Sequence, residues 1–95
     1  MRVLEKLSPR HLELRRSIEA AIDEVSPRDR MLRLDREKCF DREARDRLAE
    51  IGVWGLGTPE TLGGSGGDTL DQVAALEVLA RKHASMGVYG VVSYL

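Results

Sequence analysis

Cysteine is almost absent from this chain: Cys39 is the only one in 95 residues, so there is no disulfide framework and no cysteine-based zinc spacing. That scarcity points to a reducing, intracellular compartment. Charge of one sign is lacking too. Fifteen Lys and Arg face sixteen Asp and Glu for a net of −1, which leaves no surplus of cations for a phosphate backbone and argues against a nucleic-acid partner. The four aromatics, Phe40, Trp54, Tyr89 and Tyr94, are too scattered for a base-stacking platform and read as core. No apolar run reaches the roughly 18 residues of a membrane span, and "MRVLEKLSPRHLELRRS" has no apolar stretch of the kind a signal peptide needs. No segment alternates cleanly with period two. These absences leave a soluble, cytoplasmic domain with a single core, one that buries only about 60 to 65% of its unfolded surface.

The charges that are present are segregated. Residues 1–50 hold thirteen of the Lys and Arg and twelve of the acids, whereas residues 51–95 hold only Arg81, Lys82 and four acids. The first half is a solvated, salt-bridged surface and the second half is apolar.

Helical periodicity organises both halves into an all-α fold of four or five helices. Ser8-Pro9 is an N-cap with proline at the first helical position, and Leu14, Ile18, Ile22 and Val25 form one stripe of a helix over 9–25. Pro27 restarts the chain in a second helix reaching about Lys38, with Met31 and Leu34 on its weaker apolar face. Asp41 caps a third helix carrying Ala44, Leu48 and Ile51, and Gly52 stops it in the left-handed conformation. "VWGLGTPE" reads as extended loop. Thr69 and Gln72 have capping-box spacing ahead of "LDQVAALEVLARKH", a helix apolar almost all round and therefore predicted to be central and buried. Ser85 is the expected cap of a last segment, "MGVYGVVSYL".

Seven of the nine glycines, from Gly52 to Gly67, crowd the stretch between the third helix and the long apolar one. A phosphate cradle fails on spacing, because Gly67 is followed by Asp68-Thr69 rather than Lys-Ser/Thr, and Thr69 stands where a dinucleotide fingerprint has its third glycine. A tight connector is the better reading. His11 and His83 have no metal-like spacing to another ligand and read as surface or capping residues. Glu77, inside "AALEVLA", is either an acid/base group or the partner of Arg81 or of an arginine in the first helices; the structural role is favoured.

The order of these pieces resembles the N-terminal helical domain of the acyl-CoA dehydrogenase family. The resemblance runs from about Leu7 to Leu95 and is most specific at Leu48 to Gly52, Pro59-Glu60, Gly63-Gly64, Gly66, Leu76-Glu77 and Leu79-Ala80. Leu62, Asp41 and Val78 stand where the family commonly has an aromatic, a proline and a second glutamate, which leaves the subfamily open.

The resemblance implies that residues 1–95 are the first domain of an FAD-dependent dehydrogenase of acyl-CoA thioesters, cut before a middle β-domain and a C-terminal bundle. In the family the catalytic base and most FAD contacts come from those later domains, so no catalytic, cofactor-binding or metal-binding residue is expected here and this piece alone should be inactive. The parent would be a homotetramer that passes electrons to a flavoprotein acceptor. By the same resemblance Gly87, Val88, Val91, Val92 and Leu95 match positions lining the acyl pocket, and their i, i+4, i+8 spacing is expected to set them on one helix face. Core packing fits that spacing equally well. A small helical interaction module without cofactor is the competing class. On the enzyme reading the apolar segment 86–95 is expected to need a cover and to self-associate without one, whereas the module should be a well-behaved monomer.

Overall fold

The computed structural model describes residues 7–95, so the first six residues of the expected 1–95 domain lie outside it. Among the described residues there are five α-helices and no strand: α1 (Pro9–Val25), α2 (Arg28–Glu37), α3 (Arg42–Glu50), α4 (Thr69–Lys82) and α5 (Ala84–Tyr94). Two single 3-10 turns, Val53–Gly55 and Glu60–Leu62, and one isolated bridge between Leu56 and Gly66 occupy the stretch expected to be extended loop. Val53 and Leu56 are buried there, and tucking both apolar side chains inward over so few residues needs tight turns rather than extended chain.

The core is one cluster. Ile18, Ala21 and Ile22 of α1 meet Ala44 and Leu48 of α3, Ala75, Val78 and Leu79 of α4, and Met86 of α5. α4 is central in that it packs on α1 along one side and on α5 along another. It is not buried all round: Ala80 is exposed, and Val73 and Leu76 are only half-covered, because no described element lies over that third side. α4 and α5 form a tight αα-hairpin, Gly87 facing Ala80 and Gly90 facing Leu76 and Leu79. α1 and α4 run side by side in the same direction, as their ion pairs ascend together: Arg15 with Glu77, Glu19 with Arg81, Asp23 with Lys82.

Two expected caps are displaced. The box that starts α4 is Asp68 with Asp71, one residue upstream of Thr69 and Gln72; Asp68 Oδ1 accepts from the Asp71 amide at 3.1 Å and Asp71 Oδ2 from the Asp68 amide at 2.7 Å. Gln72 instead donates its Nε2 to the Leu56 carbonyl at 2.9 Å, tying the glycine loop to α4. Nor does Ser85 cap α5. His83 ends α4 through its amide and starts α5 through its carbonyl, which accepts from the Met86 and Gly87 amides, so no position is left for a separate serine cap.

The apolar tail divides by face. Met86, Gly87 and Gly90 are buried and Tyr94 donates its hydroxyl to the Val53 carbonyl at 2.6 Å, while Val88, Val91, Val92 and Leu95 are exposed. Of the aromatics, Trp54 packs edge-on against Tyr89 with ring centres 4.6 Å apart and donates Nε1–H to the Arg45 carbonyl. Phe40, expected in the core, is instead 44% exposed and leans on Tyr89 from outside, because it sits in the short link between α2 and α3 rather than on an inward-facing turn of helix.

Asp41 joins four of these pieces. Buried, it caps α3 through the Ala44 amide, accepts from Arg30 at 2.7 Å and from His83 Nε2 at 2.8 Å, and takes a short hydrogen bond from the Ser26 hydroxyl. Burial alone raises its carboxyl pKa. Hydrogen bonds from Ser26, His83, the Ala44 amide and Arg30 outweigh that and hold it well below the usual carboxylate range. With a folded pKa below the unfolded value of about 3.9, the group contributes stability that is fully present above that value and is lost as pH falls through the folded pKa. Asp41→Ala should therefore lower unfolding free energy at pH 7 by about 3 kcal/mol or more, since it strands buried donors and removes a cap. In urea melts the gap between wild type and variant should narrow below about pH 4; a gap that stays constant to pH 2 would refute an ionised Asp41.

Candidate functional site

Among the described residues the α4–α5 hairpin presents an apolar surface with a shape. Gly87 lacks a side chain where a Cβ would stand 2.9 Å from the Ala80 Cα, so the two helices close to backbone contact. Above that contact lies a shallow groove of about 370 Å³ lined by Leu76, Ala80, Ala84, Gly87, Val88 and Val91. A second hollow, of about 420 Å³, opens on the other flank of α5 between Phe40, Ser85, Val88, Tyr89 and Val92. Val88 is the ridge between the two.

The five sequence-predicted site residues therefore do not share one surface. Gly87, Val88 and Val91 line the first groove, Val88 and Val92 the second, and Leu95 stands at the end of the chain, 99% exposed and in neither. What sequence reasoning missed is the α4 half of the first groove, Leu76 and Ala80, together with Ala84 at the start of α5. Its signal was the fully apolar circumference of α4, which was read as burial when one side is in fact an open wall.

The glycine loop is shaped by its own contacts. The amides of Gly63, Gly64, Ser65 and Gly66 donate to the carbonyls of Glu60, Pro59, Gly55 and Thr58 at 2.8–3.0 Å, and that of Gly57 donates to Gly66 at 2.9 Å. A Cβ at Gly64 would collide with the Thr58 carbonyl, and one at Gly57 with the Gln72 amide. With these donors spent inside the loop, no amide nest faces outward for a phosphate or pyrophosphate. These residues do not fit a flavin's diphosphate.

Both histidines are buried, so of the two expected roles the surface one is corrected and the capping one holds: His11 belongs to the α1 capping box and His83 caps the end of α4 and the start of α5. His11 Nδ1 accepts from the Ser8 amide at 3.0 Å, which leaves the proton on Nε2, 3.2 Å from Asp71 Oδ1. The capping boxes of α1 and α4 thus meet at this His11–Asp71 contact. This brings His11, Asp68 and Asp71 together, their ligand-type atoms within 4.8 Å of one another, yet those atoms already serve the two boxes and Arg10. The chemistry there is that of a helix junction.

Glu77 sits on the α1-facing edge of the α4 wall, its Oε2 2.5 Å from Arg15 and its Oε1 3.6 Å from Arg81. Both of the expected structural partners are present, one from α1 and one at i+4. Arg15 also donates to the Ala74 carbonyl at 3.3 Å, so the carboxylate holds an arginine that is itself fixed to the α4 backbone.

An all-α domain with this element order, ending in an apolar-walled hairpin, belongs to the acyl-CoA dehydrogenase family: the family model described as "Acyl-CoA dehydrogenase, N-terminal domain" matches residues 8–95. The chain is similar to the acryloyl-CoA reductase (NADH) of Anaerotignum propionicum, 45% identical over 49 residues that make up 52% of this chain and 12% of that protein. It is also similar to the caffeyl-CoA reductase-Etf complex subunit CarC of Acetobacterium woodii, 40% identical over 50 residues, 53% of this chain and 13% of that one. A third relative is the acyl-CoA dehydrogenase FadE27 of Mycobacterium tuberculosis, 34% identical over 70 residues, 73% of this chain and 19% of that protein. The chain thus spans less than a fifth of the length of these relatives. No solved structure matches it with comparable significance. No helix among the described residues is long and apolar enough to cross a membrane.

Glu77→Gln should lower stability by about 1–2 kcal/mol, a partly exposed double ion pair being worth less than a buried one. The loss should shrink in about 1 M salt. Thermal melts at low and high salt check this, and an unchanged melting temperature at low salt would remove Glu77 from the α1–α4 seam.

Proposed function

We propose that this chain is the N-terminal helical domain of an FAD-dependent enzyme that moves two hydrogens at the α and β carbons of an acyl-CoA thioester. Its part in that enzyme is to supply one wall of the acyl pocket and a surface for domain packing. The observation that carries the reading is the family match across residues 8–95. The names of the three relatives add chemistry, because acryloyl-CoA and caffeyl-CoA reductases and an acyl-CoA dehydrogenase all act on CoA thioesters, in opposite redox directions. Dehydrogenation is the direction assigned here.

Gly87, Val88, Val91, Val92 and Leu95 are the proposed substrate-side residues, and Leu76 and Ala80 complete the apolar wall. Such a lining excludes water from an acyl tail and holds it by area alone, at about 25 cal/mol per Å² covered. A flavin, when bound, takes up the hydride. The described residues form no diphosphate cradle for it, so its binding is assigned to other parts of the enzyme and this piece by itself is inactive. An electron-transferring partner protein is proposed on the strength of the Etf complex in the name of one relative. A homotetrameric assembly and a cytoplasmic location complete the proposal, the latter in keeping with the exposed free thiol of Cys39.

The test uses the whole protein that carries this chain. Its flavin absorbance should bleach on anaerobic addition of one class of acyl-CoA. Ala80→Leu and Val88→Phe should shift preference toward shorter acyl chains by about tenfold in kcat/KM, roughly what one or two methylenes are worth, with an unchanged flavin spectrum. A protein that neither contains flavin nor reacts with any acyl-CoA or enoyl-CoA would overturn the proposal in favour of a cofactor-free interaction module.

A further inference from the structure

α2 is attached to the molecule differently from every other helix. It buries no residue and shares extensive packing with none of the other four. Between it and the α4–α5 turn lie two hollows of about 280 and 340 Å³, each with Met31 and Asp35 of α2 on one side and His83 and Ser85 on the other. Its hold is polar and centred on one side chain: Arg30 NH1 donates to the Val25 carbonyl at 3.1 Å, the Ser26 hydroxyl at 3.2 Å and Asp41 Oδ1 at 2.7 Å.

Both ends of α2 are suited to swing. Pro27 interrupts the path from α1 with extended backbone, φ −63° and ψ 160°. Lys38, at φ 55°, is the one non-glycine residue in the left-handed region among the described residues, a conformation in which a lysine Cβ crowds its own backbone. An element that covers little apolar surface opens at little cost, and opening this one exposes polar groups that water can satisfy. Beneath it lies the His83 side chain, only 7% exposed and hydrogen-bonded to Asp41.

We infer that α2 is a hinged strap over the His83–Asp41 pair, latched by Arg30, and that it opens as a unit while the other four helices stay folded. Hydrogen exchange read by mass spectrometry on the intact chain tests this, together with labelling by diethyl pyrocarbonate. The two buried histidines serve as paired reporters, because His83 lies under α2 and His11 lies at the α1–α4 junction.

In wild type the α2 amides should exchange at least tenfold faster than those of α1 and α4. Arg30→Ala should speed α2 a further tenfold and raise labelling of His83 in step, with α4 exchange and His11 labelling changed less than twofold. Lys38→Gly should do the reverse, slowing α2 several-fold by removing the strain at its hinge. If Arg30→Ala does not fold, Arg30→Lys, which keeps the charge and loses the planar fork, is read in the same way. Protection of α2 equal to that of α4, uniform acceleration of all helices, equal labelling of both histidines, or no slowing by Lys38→Gly would each overturn the inference.

Discussion

A single buried carboxylate organises this domain. Asp41 receives donors from the end of α1, from α2, from the first turn of its own helix and from the α4–α5 turn, so one ion sets the mutual positions of elements that share little apolar area. Burying an anion is costly on its own, and here the cost is offset because its oxygens meet charge-assisted or buried donors. The arrangement is cooperative: without it the buried Ser26 hydroxyl and His83 ring would each lose an acceptor, and Arg30 its buried carboxylate partner. The apolar cluster of α1, α3, α4 and α5 supplies the larger share of burial energy, but no residue of α2 belongs to it, so it does not specify where α2 goes.

The α1–α4 seam is fixed at two levels. At its start the two capping boxes, each satisfying free amides of its own helix, meet where His11 Nε2 stands 3.2 Å from Asp71 Oδ1. Further along, three cross-helix ion pairs repeat on the solvent side of the contact. The more exposed Glu19–Arg81 and Asp23–Lys82 pairs contribute little individually, and the half-buried Arg15–Glu77 pair more. Their value lies in register, since sliding α4 by one turn would mispair all three.

Much of the fold was legible because its signals are local. Ser8-Pro9, the stripe from Leu14 to Val25, Pro27, the Asp41 cap and the Gly52 stop each act within a few residues, and the helices begin and end where they say. Errors arose where two local signals competed. Asp68-Asp71 and Thr69-Gln72 both have box-like spacing, and the choice fell to the carboxylate whose extended backbone meets the α4 amides, while Gln72 was drawn off by a carbonyl sixteen residues away. The role of Asp41 beyond its own helix was illegible, because Ser26, Arg30 and His83 lie fifteen, eleven and forty-two residues away with no motif linking them. The candidate site was half legible for the same reason: periodicity marks the apolar residues of α5, but only the hairpin shows which of them face Leu76 and Ala80.

That hairpin links packing to the proposed chemistry. Gly87 and Gly90 let α5 close on α4 until a Cβ at either position would press on Ala80 or on Leu76. The close approach buries Met86 and leaves the wall above it built of small side chains, Ala80 and Ala84, with Val88 and Val91 as its rim. A larger residue at Gly87 or Gly90 would have to push the helices apart, which a close-packed contact does not absorb without strain, whereas one at the exposed Ala80 or Val88 would fill the groove. The constraint that makes the hairpin tight is therefore the same one that makes the groove: small residues are required on both sides of the α4–α5 contact, and the space they leave is apolar, shallow and open at one end.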